Sequence, residues 1–272
     1  VNIRPGDDLE AISSDYNRQG SRPRVEAVER GPRPGWPDDV GSPTAVTFAR
    51  DVTGQLREGS FVANATLANQ GFAIRNCEAR DIRGLHVRIT SRDGVVENNE
   101  FGDNTGGSIL CQPTSGSTYA PKGPAEEISI RNNVLTDVGQ NGFASPGAGA
   151  ITVLTNIGDP SDRPPGQPNR AITIAGNTIR NSGYKGIQIA DARDVELRDN
   201  VVERPNLAAI PRNAYGIGLA NTRDATVSGN RVLGTSDQLA AFGVRETTSG
   251  LTASGNEYVV DGSPSDASFV DG

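Results

Sequence analysis

Carboxylates are the residues of this sequence with the most chemical potential. Asp7 and Asp8 are adjacent near the start of the chain, whereas Asp81 and Glu97 lie in its repetitive middle. Glycosidic cleavage needs one carboxylic acid to protonate the leaving oxygen and a second carboxylate to activate water or attack the sugar. The candidate catalytic residues are therefore Asp7, Asp8, Asp81 and Glu97. Further acidic candidates are Asp38, Asp39, Glu100, Asp103, Asp159 and Asp162.

The sequence lacks the residue patterns of metal, nucleophilic and phosphate-binding sites. His86 is the only histidine, so a multi-histidine metal site is excluded, and no nucleophile motif accompanies it. The sequence has neither a CxxC pair nor a glycine-rich phosphate loop. We expect no metal and no cofactor. The formal net charge of −7 argues against nucleic acid as a partner, and no apolar run approaches the roughly 20 residues of a membrane span.

A short repeat must position these side chains. Two apolar residues two positions apart are followed by polar residues and then by Asn, in seven copies that end at Asn76, Asn99, Asn133, Asn177, Asn200, Asn230 and Asn256. The shortest spacing between copies is 23 residues. In all but the first copy an apolar or aromatic residue follows two positions later, namely Phe101, Leu135, Ile179, Val202, Val232 and Tyr258. Asn tolerates a left-handed turn and can hydrogen-bond to the same Asn one coil away.

A second strand signal with period-two alternation lies between successive copies, for example at 85–89 and 186–189. No copy could bury its apolar face alone, but stacking at about 4.8 Å per coil buries a continuous column. The sequence therefore predicts an all-β, right-handed parallel β-helix of about seven coils. We assign 58–261 to the β-helix, 1–57 to an irregular segment or cap that covers its end, and 262–272 to a polar tail. A leucine-rich-repeat solenoid and a β-sandwich fit less well, because the leucine frame, the helices and the hairpin turns are missing.

Two Pro- and Gly-rich insertions, 112–126 and 155–170, leave adjacent coils at similar stations. They should lie side by side and roof a binding groove, because solenoid insertions usually build the binding face. Strand alternation predicts that His86, Arg88 and Gln188 point outward in this region. The candidate substrate-binding residues are Arg83, His86, Arg88, Gln112, Arg131 and Gln188.

The region 72–134 also carries a family resemblance. The residues concerned are Ile74-Arg75-Asn76-Cys77, Ile82-Arg83-Gly84-Leu85, Val95-Val96-Glu97-Asn98-Asn99-Glu100-Phe101, Ile130-Arg131-Asn132-Asn133 and the opening Val1-Asn2-Ile3. They resemble β-helix glycoside hydrolases, most closely glycoside hydrolase family 110, the inverting exo-α-galactosidases. The resemblance implies an oligo- or polysaccharide substrate with a terminal α-galactose-like sugar. It also implies that this chain corresponds to the C-terminal part of such an enzyme.

The sequence departs from that family at three places. The acidic pair of the family would precede Val1, Arg4-Pro5 interrupts the continuation, and Gln112-Pro113-Thr114 replaces an acidic loop that contains tryptophan. The catalytic carboxylates therefore lie elsewhere, or the chemistry is altered. A glycan-binding or adhesion solenoid and a polysaccharide lyase stay open as alternatives, although a lyase needs a base and only Lys122 and Lys185 are lysines. We expect a secreted or periplasmic protein whose export signal is not visible in this chain.

Overall fold

A computed structural model describes residues 3–31, 43–68, 70–115, 123–139, 149–157, 163–209, 215–235, 240–245, 247–267 and 269–271. Within these residues the chain forms β-strands joined by turns and irregular segments, without an α-helix. Among the same residues, no helix has the length and apolar character needed to cross a bilayer. The acidic candidates Asp38, Asp39, Asp159 and Asp162 lie outside the described residues.

The strands are short and numerous. Five precede the repeats: β1 (Leu9–Ile12), β2 (Arg18–Gln19), β3 (Val25–Arg30), β4 (Pro43–Phe48) and β5 (Phe61–Asn64). The first half of the repeats contains β6 (Gln70–Arg75), β7 (Glu78–Ala79), β8 (Val87–Ile89), β9 (Arg92–Glu97), β10 (Glu100–Asn104), β11 (Ile109–Cys111), β12 (Thr114–Ser115), β13 (Glu126–Arg131), β14 (Val134–Val138), β15 (Gly149–Val153) and β16 (Asn156–Ile157). The second half contains β17 (Asn169–Ala175), β18 (Thr178–Arg180), β19 (Lys185–Arg198), β20 (Val201–Glu203), β21 (Tyr215–Ser228), β22 (Arg231–Gly234), β23 (Ala240–Val244), β24 (Ser249–Ser254), β25 (Glu257–Val260), β26 (Ser263–Ser265) and β27 (Phe269–Asp271).

Three parallel ladders run along the stack. The first ladder contains β6, β9, β13, β17, the second halves of β19 and β21, and β24. The second ladder contains β8, β11, β15, the first halves of β19 and β21, β23 and β27. The third ladder contains β7, β10, β14, β18, β20, β22 and β25. Each coil takes one strand from each ladder, so the structure confirms the predicted seven-coil parallel β-helix.

Apolar columns fill the interior of the stack. The residues predicted to follow each Asn are buried, as are the alternate residues of the first and second ladders, such as Ile130, Ile174, Ile151 and Ile187. Each column continues the one on the coil below, because the register is parallel. Burial of such a side chain contributes about 1.5–3 kcal/mol relative to leaving it exposed, so the coils are held together mainly by this core.

A ladder of asparagine side chains runs beside the core. From Asn99 to Asn256, each Nδ2 donates to the Oδ1 of the next Asn along the stack at 2.9–3.0 Å. The same amide also donates to a backbone carbonyl one coil back, as Asn177 does to Ile130 at 3.0 Å. Each interior Asn therefore links three coils and has its polar atoms satisfied in a buried place, which confirms the predicted coil-to-coil bond.

The sequence pattern assigns both the left-handed turn and the coil-to-coil bond to one Asn, but the structure divides them between two neighbouring residues. The turn residue is the one before the ladder Asn, with φ of 56° at Asn98, 54° at Asn132 and 64° at Gly176. In the first copy the expected Asn76 occupies the turn, with φ of 52°, and Cys77 stands at the ladder position, where its backbone N–H donates to Asn99 Oδ1 at 2.9 Å. In the first repeat the ladder position is therefore residue 77, one residue later than the sequence pattern predicts.

The two ends of the chain differ from the predicted cap and tail. Strand β5 pairs with β1, so the N-terminal unit extends past residue 57 and the coils begin at Gln70. The 262–272 segment is not a plain tail: β26 pairs with β25, and β27 extends the second ladder. The rings of Phe269 and Phe242 lie 4.8 Å apart there, because the last coil must cover its apolar end.

We expect Asn177→Ala to lower the free energy of unfolding by about 2–3 kcal/mol, because it leaves buried donors and acceptors of two neighbouring coils without partners. Urea denaturation followed by circular dichroism measures the effect. The matched control is Asn98→Gly, which keeps a residue suited to positive φ and should change stability by less than about 0.5 kcal/mol. Equal effects of the two variants would contradict a structural role for the ladder.

Candidate functional site

A polar groove lies between the β1–β2 hairpin and the starts of the first-ladder strands. Its volume is about 530 Å³. The hairpin lies against the side of the coils rather than over the end of the stack, since Arg18 of β2 lies 2.6 Å from Glu126 at the start of β13, in the third coil. The lining is mostly charged, and we call it the arginine–glutamate groove after Arg18, Arg22, Arg92, Arg170, Arg193, Glu10, Asp93, Glu126 and Glu127.

The coil wall of this groove is one column of residues, because the first ladder is in register. The column runs through Gln70, Arg92, Glu126, Arg170 and Arg193. Each member precedes a residue with positive φ, which turns the chain into the first-ladder strand; these residues are Gly71, Asp93, Glu127, Ala171 and Asp194. The corner thus aims successive side chains of the column at the hairpin.

Two buried carboxylates, one from the hairpin and one from the coils, share a guanidinium. Arg18 Nη1 lies 2.9 Å from Glu10 Oε1, and Arg18 Nη2 lies 2.6 Å from Glu126 Oε2. Arg92 makes the same link from the coil side, with Nη2 3.3 Å from Glu10 Oε2 and Nη1 3.7 Å from Glu126 Oε2. The four side chains are between 3% and 9% exposed, so this network joins the hairpin to the coils out of contact with bulk water.

Two more guanidiniums approach the same carboxylates. Arg170 forms an ion pair with Glu126 from the next coil. Arg22 lies 3.9 Å from Glu10 and 3.7 Å from Glu126, and its side chain is 42% exposed. Two buried carboxylates are therefore within ion-pair distance of four guanidiniums.

The network sets the protonation of its members. Burial acts to raise the pKa of Glu126, but the hydrogen bonds and charges of Arg18 and Arg170 outweigh burial and hold that pKa below its ordinary value of 4.5. Burial lowers the pKa of the Arg92 guanidinium, and the charges of Arg22 and Arg18 act in the same direction. Glu126 is therefore ionised at neutral pH and suited to binding donors or cations rather than to donating a proton.

The predicted acidic pair lies next to this groove but does not line it. Asp7 is buried, and its Oδ2 accepts from the Arg4 backbone N–H at 2.8 Å and from Asn64 Nδ2 at 2.7 Å. The backbone N–H of Asp8 donates to Thr66 Oγ1 at 2.8 Å. Glu10, which the sequence analysis did not single out, is the acidic residue of this segment that reaches the groove.

Asp81 and Glu97 lie apart from Asp7 and Asp8. Asp81 is exposed and has φ of 55°, at a corner where later coils place Asp103 and Asp137 in the same conformation. Glu97 lies on the outer face of the first ladder, where it forms ion pairs with Arg75 and with Arg131, one of the predicted substrate-binding residues. The hydrogen bond from Arg131 is the main cause that lowers the pKa of Glu97; burial opposes it and Arg75 adds to it.

The orientation predicted for His86 is wrong. Its ring stacks on the buried Phe101, with centroids 5.0 Å apart and planes at 12°. Nδ1 lies 3.0 Å from Ser108 Oγ, and Nε2 lies 3.1 Å from the Gly102 carbonyl oxygen. Strand β8 begins only at Val87, so the alternation does not extend back to His86. Burial lowers the pKa of the ring, although hydrogen bonds to backbone oxygens oppose it.

The other predicted binding residues are spread over the second ladder. Arg88 and Gln188 occupy the same register position of the second ladder on coils one and four. Leu110 and Thr152 occupy that position on the two coils between them. Arg88 is exposed, whereas Gln188 is buried and donates to the Ile189 carbonyl at 3.0 Å. The predicted residue Arg83 is exposed, and the backbone N–H of Gln112 donates to the Ile89 carbonyl at 3.2 Å.

The two insertions lie side by side where they begin, as the sequence predicts. Strands β12 and β16, at the start of the insertions, pair in parallel. The remainder of the predicted roof falls partly outside the described residues. Within the described ranges, no group of three or more His, Cys, Asp and Glu side chains is arranged to hold a metal ion.

We expect Glu126→Gln to lower the free energy of unfolding by about 3–5 kcal/mol, because it leaves buried guanidiniums with half of their counter-charge. Chemical denaturation measures the loss. Glu127→Gln is the matched control, since Glu127 is the exposed neighbour and should change stability by less than about 0.5 kcal/mol. If both variants are equally stable, the network does not anchor the hairpin.

The pH dependence of stability follows from the lowered pKa of Glu126. A carboxyl whose pKa is lower in the folded chain contributes stability that is present above its unfolded pKa and is lost as the pH falls through the folded pKa. For Glu126 this loss lies below pH 4.5. The unfolding free energy of the unmodified chain should therefore fall more steeply below that pH than that of Glu126→Gln, and parallel profiles would contradict the assignment.

Comparison with known proteins places the fold. Residues 125–262 match the family model described as "Right handed beta helix region". The chain is also similar to Alpha-1,3-galactosidase A of Bacteroides fragilis, with 27% identity over 187 residues. This match covers 68% of the present chain and 30% of that protein, so the chain spans about a third of its relative. Since the family model matches half of its residues, the chain belongs to the right-handed β-helix family.

Proposed function

We propose that this chain is the glycan-recognising β-helix of a glycoside hydrolase that cleaves a terminal α-galactose-like sugar with inversion. The observation that carries the proposal is the arginine–glutamate groove, in which a hairpin closes charged hydrogen-bonding groups over the flank of a β-helix. A volume of about 530 Å³ falls in the range of small-molecule sites, about 300–1,000 Å³. The likeness to a protein named Alpha-1,3-galactosidase A supports the choice of sugar.

The groove carboxylates serve binding rather than proton transfer in this proposal. The buried, ionised Glu126 holds the guanidiniums around it in place, and the accessible guanidiniums, such as that of Arg22, which is 42% exposed, donate to hydroxyl and ring oxygens of the sugar. The ion pairs that keep Glu126 charged also make it a weak base. In this proposal the proton-transfer roles fall to the predicted Asp7 and Asp8, which lie on the same segment as Glu10. Of the other two predicted carboxylates, Asp81 lies apart from this segment, and Glu97 is kept ionised by Arg75 and Arg131 as Glu126 is by its own partners.

A second candidate function is glycan binding without catalysis. It is favoured by the saturation of the carboxylates near the groove: Glu10 and Glu126 are ion-paired, and Asp7 accepts two hydrogen bonds. A general acid instead needs a carboxyl whose pKa is raised towards the working pH.

Proton NMR of the sugar released from an α-1,3-linked galactoside tests the first function against the second. We expect the β-anomer of galactose to appear first, since inversion at an α-linked sugar gives β-galactose. Asp7→Asn and Asp8→Asn should lower the rate by about 10²–10⁴-fold if either residue transfers a proton, and Glu29→Gln is an acidic-to-amide control outside the groove. Initial release of the α-anomer would overturn inversion. Binding without any release would leave the non-catalytic function.

A further inference from the structure

The arginine–glutamate groove carries more positive charge than its buried carboxylates balance. Among the residues that the structure describes, the guanidiniums of Arg18, Arg22, Arg92 and Arg170 are within ion-pair distance of two carboxylates, those of Glu10 and Glu126. The remaining groove carboxylates, Asp93 and Glu127, are exposed at the rim, where solvent screens them. The buried groups balance, with the guanidiniums of Arg18 and Arg92 against Glu10 and Glu126. The surplus positive charge of the groove comes from the more accessible guanidiniums, those of Arg22 and Arg170, which are 42% and 35% exposed, and that of Arg193.

Several buried polar atoms of the groove make no hydrogen bond among the described residues. The donors are Nε and Nη1 of Arg92, Nε and Nη2 of Arg18 and Nε of Arg193, and the one acceptor is Glu126 Oε2. Arg18 Nη2 and Arg92 Nη1 lie 2.6 Å and 3.7 Å from that oxygen. The side chains of Arg18 and Arg92 are 9% and 6% exposed. Buried polar groups are normally satisfied, because an unsatisfied one is costly. Donors outnumber acceptors in this network, so its uncompensated polarity is positive and favours an anion beside the accessible guanidiniums.

The column of the first ladder adds a like-charge stack. Arg170, Arg193 and Arg223 occupy the same station on three consecutive coils. Coils are about 4.8 Å apart, and like charges placed directly opposite each other destabilise a sheet. Glu126 compensates Arg170, and Asp224 lies 3.4 Å from Arg223. Arg193, between them, has no ion pair among the described residues and lines the groove.

We propose that the arginine–glutamate groove binds the anionic group of an acidic glycan, a carboxylate of a uronic sugar or a sulfate ester. The inference rests on the proposed function for the identity of the ligand as a glycan, and adds its charge. Guanidinium groups suit planar carboxylates and sulfates because they donate parallel N–H bonds. The groove is larger than a single anion, and Gln19, Ser21 and Gln70 line it with groups that can bind hydroxyls.

The rim narrows the choice of anion. Asp93 and Glu127 lie on consecutive coils beside the arginines, so a continuous polyanion such as nucleic acid would meet negative charge on entry. A glycan that directs one anionic group inward between neutral hydroxyl-bearing parts avoids that repulsion. The charge pattern therefore favours an isolated acidic sugar unit.

Isothermal titration calorimetry on the full chain at low salt tests this inference. The probes are trigalacturonate, an oligosaccharide of a sulfated galactan, neutral α-1,3-galactobiose and sodium sulfate alone. We expect one or both acidic oligosaccharides to bind at least about tenfold more tightly than the neutral one. Arg193→Gln and Arg22→Gln, on opposite walls of the groove, should each weaken that binding about tenfold. Arg223→Gln is the matched control, since Arg223 occupies the position of Arg193 on the next coil and does not line the groove.

Each outcome decides between the two proposals. Tighter acidic binding that is lost in Arg193→Gln and kept in Arg223→Gln supports the inference, and thermal melting checks that both variants are folded. Equal or tighter binding of the neutral sugar overturns the inference and leaves the proposed function standing. Binding of sulfate alone, without the acidic oligosaccharides, marks an adventitious anion site and overturns the inference. Binding of none of the saccharides overturns the proposed function as well.

Discussion

Register between coils is the constraint on which the rest of this structure depends. The asparagine ladder enforces it, because each amide bonds to the Asn of the next coil and to a carbonyl of the previous one. A slip of one residue would break these bonds and turn every inward Ile or Val outward. Residues with positive φ at the corners let each coil close at the same points. Insertions are therefore confined to the segments between the columns.

The same register that aligns the core also aligns charges on the outside. Residues at one station of the first ladder form a column, and in that column Arg92, Glu126, Arg170 and Arg193 follow one another. The N-terminal hairpin supplies complementary charges: Glu10 meets Arg92, and Arg18 meets Glu126. A groove arises where the hairpin meets the column through the long side chains of Glu10 and Arg18. Scaffold and candidate site thus share one cause.

Much of this arrangement could be predicted from the sequence, and the failures have local causes. In six of the seven copies the residue two positions after the Asn is buried as expected, because period and polarity agree along the repeats. Cys77 was missed as a ladder residue because Asn76 satisfied the pattern one position early. His86 was assigned to the outer face because alternation was extended beyond the start of β8. The column of charged residues could also have been predicted from the sequence. Its members lie at a constant distance, six residues, before the left-handed residue that follows each first-ladder strand; they are Arg92, Glu126, Arg170 and Arg193.

The sequence by itself determined the fold, the number of coils and the core, since these follow from local periodicity repeated along the chain. It did not determine which carboxylates meet which arginines. Glu10 and Arg92 are 82 positions apart, and no pattern within a repeat links them. Only the tertiary structure placed the hairpin on the flank of coils two to four and joined its charges to theirs. The reason is physical: stacking is dictated by each repeat, whereas the docking of a segment outside the repeats depends on the whole surface that it contacts.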